Sequence, residues 1–343
     1  MGLISAKIIT GHTVHAIGPN ASCLISTKNG QTDRKAKRMI PSQQNLEPGV
    51  TVVVPCYNEE GAVAETVDAI SSVLNIAASD ASAPFDSEMI FVNDGSKDRT
   101  LEILNALKKN NPRLRVIDNG TNCGYGASLK RGIAQASYDK IVITDADGTY
   151  PNERIPEIAR ELDNYDMVIG ARTGKNVHIP LLRRPAKWAL LQYARLMTGA
   201  DIQDINSGLR TMWTRHVHQF WFMLPDAFSF TSTITLAMHV NRMRVKYIPI
   251  DYARRVGKSS IKPVRDTLRF FSLVLRTVMY FRPLQILGSM SLALILSAIA
   301  IGLLGRKYLG EVPDVVATSL FSTGVIFLGL GLLGDLINAR RSR

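Results

Sequence analysis

Three short, largely apolar runs in the first half of the chain each end at polar residues. They occupy 51–54, 89–92 and 141–143, are rich in valine and isoleucine, and show no alternation with polar positions. Such runs are typical of parallel strands buried on both faces of a sheet. Apolar residues at helical spacing follow the first two runs, at 59–74 and 98–107. Repeated strand-helix units joined by short loops predict a parallel α/β sheet with its polar loops on one edge.

Two longer apolar stretches lie near the C-terminus, at 284–305 and 315–338. Each has about the twenty residues needed to cross the hydrocarbon core of a bilayer. Their many glycines and few charges favour membrane insertion over the alternative, a buried hairpin of soluble helices. Asp335 is the one charged residue in the second stretch and lies near its end. Basic residues are more numerous on the outer flanks than between the stretches, so we expect an integral membrane protein with both termini cytoplasmic.

The segment 261–283 mixes basic and apolar residues and leads into the first long stretch. One interpretation is amphipathic juxtamembrane helices on the bilayer surface, with arginine side chains reaching the phosphate headgroups. The other is a helix packed on the preceding domain. The N-terminal 1–47 is polar and lacks sustained periodicity, which predicts a mobile tail. Residues 339–343 form a short basic tail, expected to be cytoplasmic.

The charge distribution narrows the classes of partner. The 343 residues carry a net charge of +12, concentrated in the N-terminal tail, in 254–282 and at the C-terminus. An anionic membrane surface or a phosphorylated substrate fits this pattern. No recognisable nucleic-acid-binding module accompanies the basic residues, so we expect no nucleic-acid partner. The cysteines Cys23, Cys56 and Cys123 lack the spacing of a zinc site.

Two carboxylates, Asp145 and Asp147, follow the apolar run 141–143. Carboxylate oxygens suit Mg²⁺ or Mn²⁺, and a site with two of them leaves coordination positions for substrate phosphates. In open α/β sheets, ligands bind at the carboxyl ends of the strands, where this pair is expected. The alternative is a loop in which one aspartate caps the next turn. Similar polar residues follow the two earlier runs, so three acidic loops are predicted to converge.

Several motifs then occur in an order that resembles family 2 glycosyltransferases of the GT-A fold. They are VVPCYNEE at 53–60, VNDGS at 92–96, NCGYG at 122–126, DADG at 145–148, GAR at 170–172, NSGLR at 206–210, FSFT at 228–231 and RVGKSS at 255–260. Within that family the chain is similar to the polyprenyl-phosphate glycosyltransferases, relatives of dolichyl-phosphate mannose synthase. The resemblance covers about 49–282. It implies a GT-A (Rossmann-like, mostly parallel sheet) catalytic domain at 48–260, juxtamembrane helices at 261–283 and a two-helix transmembrane hairpin at 284–338.

The resemblance also implies an activity. A hexose or hexose derivative would pass, with inversion, from a UDP- or GDP-linked sugar to the phosphate of a polyprenyl phosphate, in a reaction dependent on Mg²⁺ or Mn²⁺. The product would serve as a sugar donor for extracytoplasmic glycosylation, and the catalytic domain would be cytoplasmic. Two alternatives stay open: a membrane glycosyltransferase with another lipid or glycan acceptor, and a nucleotide-sugar-binding membrane protein without activity. A homo-oligomer is compatible with either.

Individual positions match the family's functional residues. The metal ligands would be Asp145 and Asp147, with Asp147 the more direct one. The residues matching nucleotide-binding positions are Pro55, Tyr57, Glu59, Asp94, Lys130 and Asp145. Together these assignments place the donor nucleotide and the cation at the same edge of the sheet.

A second group matches positions near the phosphates and the acceptor. Arg172, Arg255 and Lys258 would add positive charge there, and together with Asp145 and Asp147 they form the predicted catalytic set. For Arg172 the alternative is an ion pair with a carboxylate at a strand end, and for Lys258 it is simple solvation. The polar patch of Asp204, Asn206 and Ser207 would contact the sugar or acceptor, or would form a turn.

Two positions depart from the family pattern, and two other enzyme classes fit poorly. Thr149 replaces the glutamine common in mannose synthases, which weakens a mannose assignment, and Ser260 replaces a usual lysine. A nicotinamide-dependent oxidoreductase would need a third glycine where Leu129 stands. A processive polysaccharide synthase would be expected to carry a Gln-x-x-Arg-Trp motif, which the sequence lacks.

Overall fold

The computed structural model describes residues 46–80, 85–175, 184–227, 229–253, 263–308 and 314–341. Most of the predicted N-terminal tail lies outside these ranges, as do Arg255 and Lys258. The structure therefore bears on the central domain and the C-terminal helices.

Within those ranges, a sheet of seven strands forms the centre of the fold. The strands are β1 (Glu47–Cys56), β2 (Ser87–Asn93), β3 (Leu114–Asp118), β4 (Tyr138–Ile143), β5 (Met167–Ala171), β6 (Arg210–Trp213) and β7 (Val245–Pro249). Their order across the sheet is β3-β2-β1-β4-β6-β5-β7. β6 runs antiparallel to both neighbours, and the other pairs are parallel. The mostly parallel sheet predicted from the apolar runs is confirmed.

Helices cover both faces of this sheet. They are α1 (Val63–Ala78), α2 (Thr100–Lys108), α3 (Tyr125–Ile133), α4 (Ile155–Glu161), α5 (Arg184–Thr198), α6 (Thr214–Gln219) and α7 (Phe230–Val240). One buried core lies between the sheet and α1, α2 and α4, and a second lies between the sheet and α3, α6 and α7. The two cores explain why β1, β2 and β4 have no polar alternation: both faces of these strands are covered.

The first helix begins later than the sequence pattern predicts. The periodicity suggested a start at Glu59, but α1 starts at Val63. The backbone N–H of Asn58 donates to Ser96 Oγ at 3.0 Å, and that of Glu59 donates to Thr100 Oγ1 at 2.9 Å. These bonds hold a turn after β1, so polar partners from the next strand-helix loop override local helical periodicity.

The C-terminal part consists of three helices, α8 (Pro263–Phe281), α9 (Pro283–Tyr308) and α10 (Asp314–Arg341). α8 is one continuous helix whose Val274 and Val278 are fully buried in a third core with α5 and α7. The face of α8 that carries Val274 and Val278 thus packs on the domain, as the second interpretation predicts. Another apolar residue of α8, Leu275, is 42% exposed. α9 and α10 pack on each other, and their mean hydropathies of 2.3 and 2.0 and their lengths suffice to span a membrane.

Candidate active site

Polar loops from five strands meet at one edge of the sheet. β1, β2, β4 and β5 end there, and β6 begins there because it runs the opposite way. The backbone N–H of Asp94 donates to the Cys56 carbonyl at 2.8 Å, which joins the loops after β1 and β2. Burial raises the pKa of the Cys56 thiol, and the nearby charges of Glu59 and Asp145 raise it further. The structure therefore brings the three acidic loops together.

Neutral hydrogen-bond donors hold the two aspartates of the DADG motif. The Tyr125 hydroxyl donates to Asp145 Oδ1 at 3.1 Å. Asp147 is 5% exposed and accepts bonds from the Thr149 hydroxyl at 2.6 Å and the Thr149 N–H at 3.2 Å. Asp147 thus does cap the following turn, as the alternative interpretation had it. A glycine is required at Gly208, because a Cβ there would lie 2.8 Å from Asp145 Oδ2.

The donor set at this loop fits a hard divalent cation. Oxygen ligands from carboxylates are those that Mg²⁺ and Mn²⁺ prefer. Among the described residues there is no group of three or more His, Cys, Asp or Glu side chains that could hold a metal. Two carboxylates such as Asp145 and Asp147 would leave coordination positions of such a cation for substrate phosphate and water.

Arg172 lies across the site in a two-pronged ion pair with Asp204. Its Nε and Nη2 donate to Asp204 Oδ2 and Oδ1 at 2.7 and 2.9 Å, and its backbone N–H also donates to Oδ2. The side chains are 14% and 1% exposed. Such planar pairing fixes the guanidinium in position. The ion pair foreseen as the alternative for Arg172 is present, and it also places a fixed cation at the carboxyl end of β5.

The segment 204–207 is both a turn and a fixed part of the site. The Asn206 N–H donates to Asp204 Oδ1 at 3.1 Å, and the Ser232 hydroxyl of α7 donates to Asn206 Oδ1. The fully buried Ser207 hydroxyl donates to the Gly170 carbonyl of β5. The Ser207 hydroxyl is therefore committed to the fold, whereas Asn206 keeps a partly exposed side chain beside Asp204.

The residues matched to nucleotide positions have different surroundings. Asp94 accepts bonds from Asn119 Nδ2, the Cys123 N–H and the Gly124 N–H at 2.8 to 2.9 Å, so it organises the loop after β3. Tyr57 is 40% exposed and Glu59 is half-buried, and Pro55 lies in β1. Lys130 Nζ pairs with Asp226 Oδ1 at 2.8 Å.

Comparison with known proteins gives the site a family. Residues 51–222, half of the chain, match the sequence model of Glycosyl transferase family 2. The chain belongs to this family. It is therefore a glycosyltransferase with the expected GT-A-like α/β fold, and the class of enzyme predicted from the ordered motifs is confirmed.

The chain is similar to several curated glycosyltransferases. The bactoprenol glucosyl transferase of Shigella phage SfV is 26% identical over 302 residues, which cover 84% of this chain and 92% of that protein. The undecaprenyl-phosphate 4-deoxy-4-formamido-L-arabinose transferase of Pseudomonas fluorescens is 28% identical and covers 84% of each chain. The dolichyl-phosphate hexose transferase of Haloferax volcanii is 29% identical over 62% of this chain and 87% of that protein.

Among solved structures, the chain is similar to glucosyl-3-phosphoglycerate synthase from Mycobacterium tuberculosis. Its complex with UDP has 18% sequence identity and a TM-score of 0.48, over 68% of this chain and 80% of that one. Its complex with Mn²⁺, UDP-glucose and phosphoglyceric acid has 19% identity and a TM-score of 0.49, over 68% and 79%.

The glycine pair in NCGYG has a packing role in this glycosyltransferase. A Cβ at Gly126 would collide with the carbonyls of Pro225 and Ala227, and the neighbouring Ala127 N–H donates to the Asp226 carbonyl at 3.0 Å. The glycines thus let the loop before α7 approach the start of α3. This explains the Gly-x-Gly spacing without a dinucleotide phosphate loop.

Sequence reasoning missed several residues of the glycosyltransferase site. Tyr125 and Thr149 bind the two aspartates, and Tyr252, which follows β7, lies with its ring 5.2 Å from the Arg172 guanidinium. Among the described residues, Arg210 is the largest fully buried side chain, and it donates to the Ser207 and Thr231 carbonyls. Thr149 directly follows the DADG motif and Arg210 ends the NSGLR motif, so their positions in the sequence could have indicated a role at the site. Tyr252 carried no motif signal.

Proposed function

We propose that this glycosyltransferase transfers a hexose or hexose derivative, with inversion, from a UDP- or GDP-sugar to the phosphate of a polyprenyl phosphate. The observation that carries the proposal is a motif of two carboxylates at the same sheet edge as a fixed arginine, in a chain with two long apolar helices. The names of the relatives support it, because three of them act on bactoprenol, undecaprenyl phosphate or dolichyl phosphate.

The donor diphosphate accounts for the acidic half of the site. Asp145 and Asp147 would hold Mg²⁺ or Mn²⁺, which as a Lewis acid neutralises the leaving diphosphate. We propose that the nucleotide is surrounded by Pro55, Tyr57, Glu59, Asp94 and Lys130. Asp94 would act indirectly, by ordering the loop after β3.

The acceptor phosphate accounts for the basic half. Arg172, held by Asp204, provides preorganised positive charge where negative charge develops in the transition state. Arg255 and Lys258 lie outside the described residues, and we propose that they add to this charge. Asn206 stands next to Asp204 and is the proposed polar contact for the sugar or acceptor, with Ser207 fixing its backbone.

No side chain is needed as an obligatory general base. A phosphate monoester has a second pKa of about 6, so the acceptor is largely a dianion at neutral pH and already nucleophilic. Asp204 accepts both prongs of Arg172 and the Asn206 N–H, an arrangement suited to holding a cation. The protein's task is then to hold the dianion behind the anomeric carbon for a single displacement.

We further propose that the catalytic domain and both termini are cytoplasmic and that the hairpin of α9 and α10 spans the membrane. In this proposed arrangement a membrane-embedded lipid would present its phosphate to the edge with Asp145 and Arg172. Removing 284–343 should leave donor binding intact, while turnover of long-chain polyprenyl phosphate collapses. Undiminished turnover of that lipid by the shortened protein would count against the arrangement.

The deciding experiment is a donor panel. Membranes containing the full chain are incubated with radiolabelled UDP- and GDP-sugars and a polyprenyl phosphate, and the lipid fraction is extracted. A labelled, acid-labile polyprenyl-phosphate sugar is expected, and it should be absent with an Asp145→Asn, Asp147→Asn variant. Label in a lipid without phosphate, or in a glycan, would instead support the alternative acceptors.

A further inference from the structure

Thr149 is bound to the carboxylate of Asp147 by two hydrogen bonds. Its hydroxyl donates to Oδ1 at 2.6 Å, and its backbone N–H donates to the same oxygen at 3.2 Å. Thr149 is 1% exposed, so water competes little for these bonds. An ionised carboxylate accepts hydrogen bonds only. The hydroxyl proton of Thr149 therefore points to Asp147, and its oxygen can accept a bond from another group.

Tyr252 is next to Thr149 in the fold. The backbone N–H of the following residue, Ala253, donates to the Thr149 carbonyl at 3.0 Å, which fixes the loop after β7 to the loop after β4. Burial raises the pKa of Tyr252, so its hydroxyl is protonated at neutral pH and can donate to the oxygen of the Thr149 hydroxyl.

The ring of Tyr252 continues the connection to the basic half of the site. It lies 5.2 Å from Arg172 Cζ, and it meets the ring of Tyr150 edge to face with centroids 5.2 Å apart. The geometry with Arg172 is that of a cation–π contact. A continuous series of contacts thus runs from Asp147 through Thr149 and Tyr252 to Arg172 and its partner Asp204.

We propose that Thr149 and Tyr252 are positioning residues that orient Asp147 for the divalent cation and keep it in register with Arg172. The proposal rests on the proposed function, in which Asp147 binds that cation. Partners that hydrogen-bond to a metal ligand commonly change metal affinity by about 10- to 100-fold when removed. Both residues act through Asp147 and Arg172, so binding of the cation is the property they should control.

The test measures Mn²⁺ affinity of the full-length protein in detergent, from the electron paramagnetic resonance signal of unbound Mn²⁺, with UDP, with GDP and without nucleotide. Thr149→Val keeps the shape and should weaken binding about tenfold, whereas Thr149→Ser should stay within about twofold of wild type. The matched control is Thr144→Val, which removes a buried hydroxyl bonded to Asn152 at 2.9 Å and should leave Mn²⁺ affinity unchanged.

The connection to Tyr252 is tested by a double-mutant cycle. Tyr252→Phe alone should weaken Mn²⁺ binding about threefold, and it should add nothing in the Thr149→Val background, because the bond it removes is already lost. Equal losses in both backgrounds would overturn the relay through Thr149. Wild-type affinity in Thr149→Val, or an equal loss in Thr149→Ser, would overturn the role of the Thr149 hydroxyl.

The same measurement separates this proposal from the proposed function. If Thr149→Val binds Mn²⁺ as tightly as the wild-type protein does, the metal assignment stands and only the positioning role of Thr149 is overturned. Wild-type protein that binds no Mn²⁺ under any of the three nucleotide conditions overturns both the metal assignment and the positioning role.

Discussion

At the amino end of β2 a buried carboxylate is paired with an arginine, whereas at the carboxyl end of β4 two carboxylates accept hydrogen bonds from hydroxyl groups. Glu88 pairs with Arg115 at 2.8 Å and also accepts bonds from the Thr51 hydroxyl and the Ser137 N–H. The described contacts of Asp145 and Asp147 come from the hydroxyls of tyrosine and threonine and from a backbone amide. The two edges of one sheet thus use carboxylates for different purposes.

Glu88 and the two aspartates differ in the group that pairs with their negative charge. Glu88 is 8% exposed, and its partners come from β1, β3 and the start of β4, so its charge helps to join strands. The bonds from Tyr125 and Thr149 fix the direction of Asp145 and Asp147, and we propose that a bound cation matches their negative charge. On this proposal one edge contributes to the stability of the fold, and the other to binding and catalysis.

The largest expected effect is that of Asp147→Asn. The amide oxygen can still accept both bonds from Thr149, so the melting temperature should stay close to wild type. Activity should fall by about 10²-fold or more, because a charge at the reacting centre is lost. Single-turnover assays and thermal melts of the same sample measure both. A large loss of stability with retained activity would show that Asp147 serves the fold rather than catalysis.

Arg172→Met is expected to affect both properties. It leaves Asp204 buried without its guanidinium partner, and removing one member of a buried ion pair costs about 3 kcal/mol or more. The turnover number should fall because the fixed cation is lost, while donor affinity should change less. Denaturant unfolding and steady-state kinetics with varied acceptor measure this. Arg172→Lys is the matched control and should recover stability better than activity, because lysine cannot make the two-pronged pair.

Asp94→Asn tests a carboxylate that lies at the edge of the candidate site yet organises a loop, as Glu88 joins strands. The Asp94 carboxylate accepts hydrogen bonds from three N–H donors. An asparagine would turn its own N–H₂ group toward at least one of these donors, so that bond is lost and the loop 119–124 should lose order. We expect an increase in the donor KM of about tenfold and a loss of about 1 to 2 kcal/mol of stability. An effect on turnover alone would instead indicate direct participation in the chemical step.

The smallest expected effect is that of Glu88→Gln. Burial alone would raise the pKa of Glu88, but hydrogen bonds from Arg115, Ser137 and Thr51 outweigh it and lower the pKa below its ordinary value. A lowered folded-state pKa contributes stability above the unfolded-state pKa, and this contribution disappears as the pH falls through the folded-state value. The variant should lose about 1 kcal/mol at pH 7 and nothing relative to wild type at strongly acidic pH. Unfolding titrations at several pH values, with activity per folded molecule unchanged, would show this.

Local patterns in the sequence predicted the parts of the fold that depend on neighbours in the chain. The apolar runs located β1, β2 and β4, and the position of Asp145 and Asp147 after a buried strand identified the edge that carries the site. β6 was not predicted, because it is four residues long and pairs antiparallel between β4 and β5 only through contacts distant in sequence. Arginine side chains are usually exposed, so the complete burial of Arg210 in β6 follows only from the carbonyls that surround it in the fold.

The candidate site was predicted in composition more than in arrangement. Arg172 and Asp204 were both named, but in different roles: the alternative for Arg172 was an ion pair with an unspecified carboxylate, and spacing alone does not identify Asp204 as that partner. The link from Thr149 to Tyr252 joins loops after β4 and β7, and no periodicity connects such distant positions. Tyr252 shows the limit clearly, because its importance lies entirely in what the fold places beside it.

Helix α8 determines where the two C-terminal apolar helices could be replaced by those of another protein. Val274 and Val278 complete a core shared with α5 and α7, and the Arg282 side chain donates to the Val240 carbonyl at the end of α7. A junction after Arg282 would exchange α9 and α10 and leave α8 packed on the domain. A chimaera joined before α8 would instead expose the apolar surface of α5 and α7 that Val274 and Val278 cover.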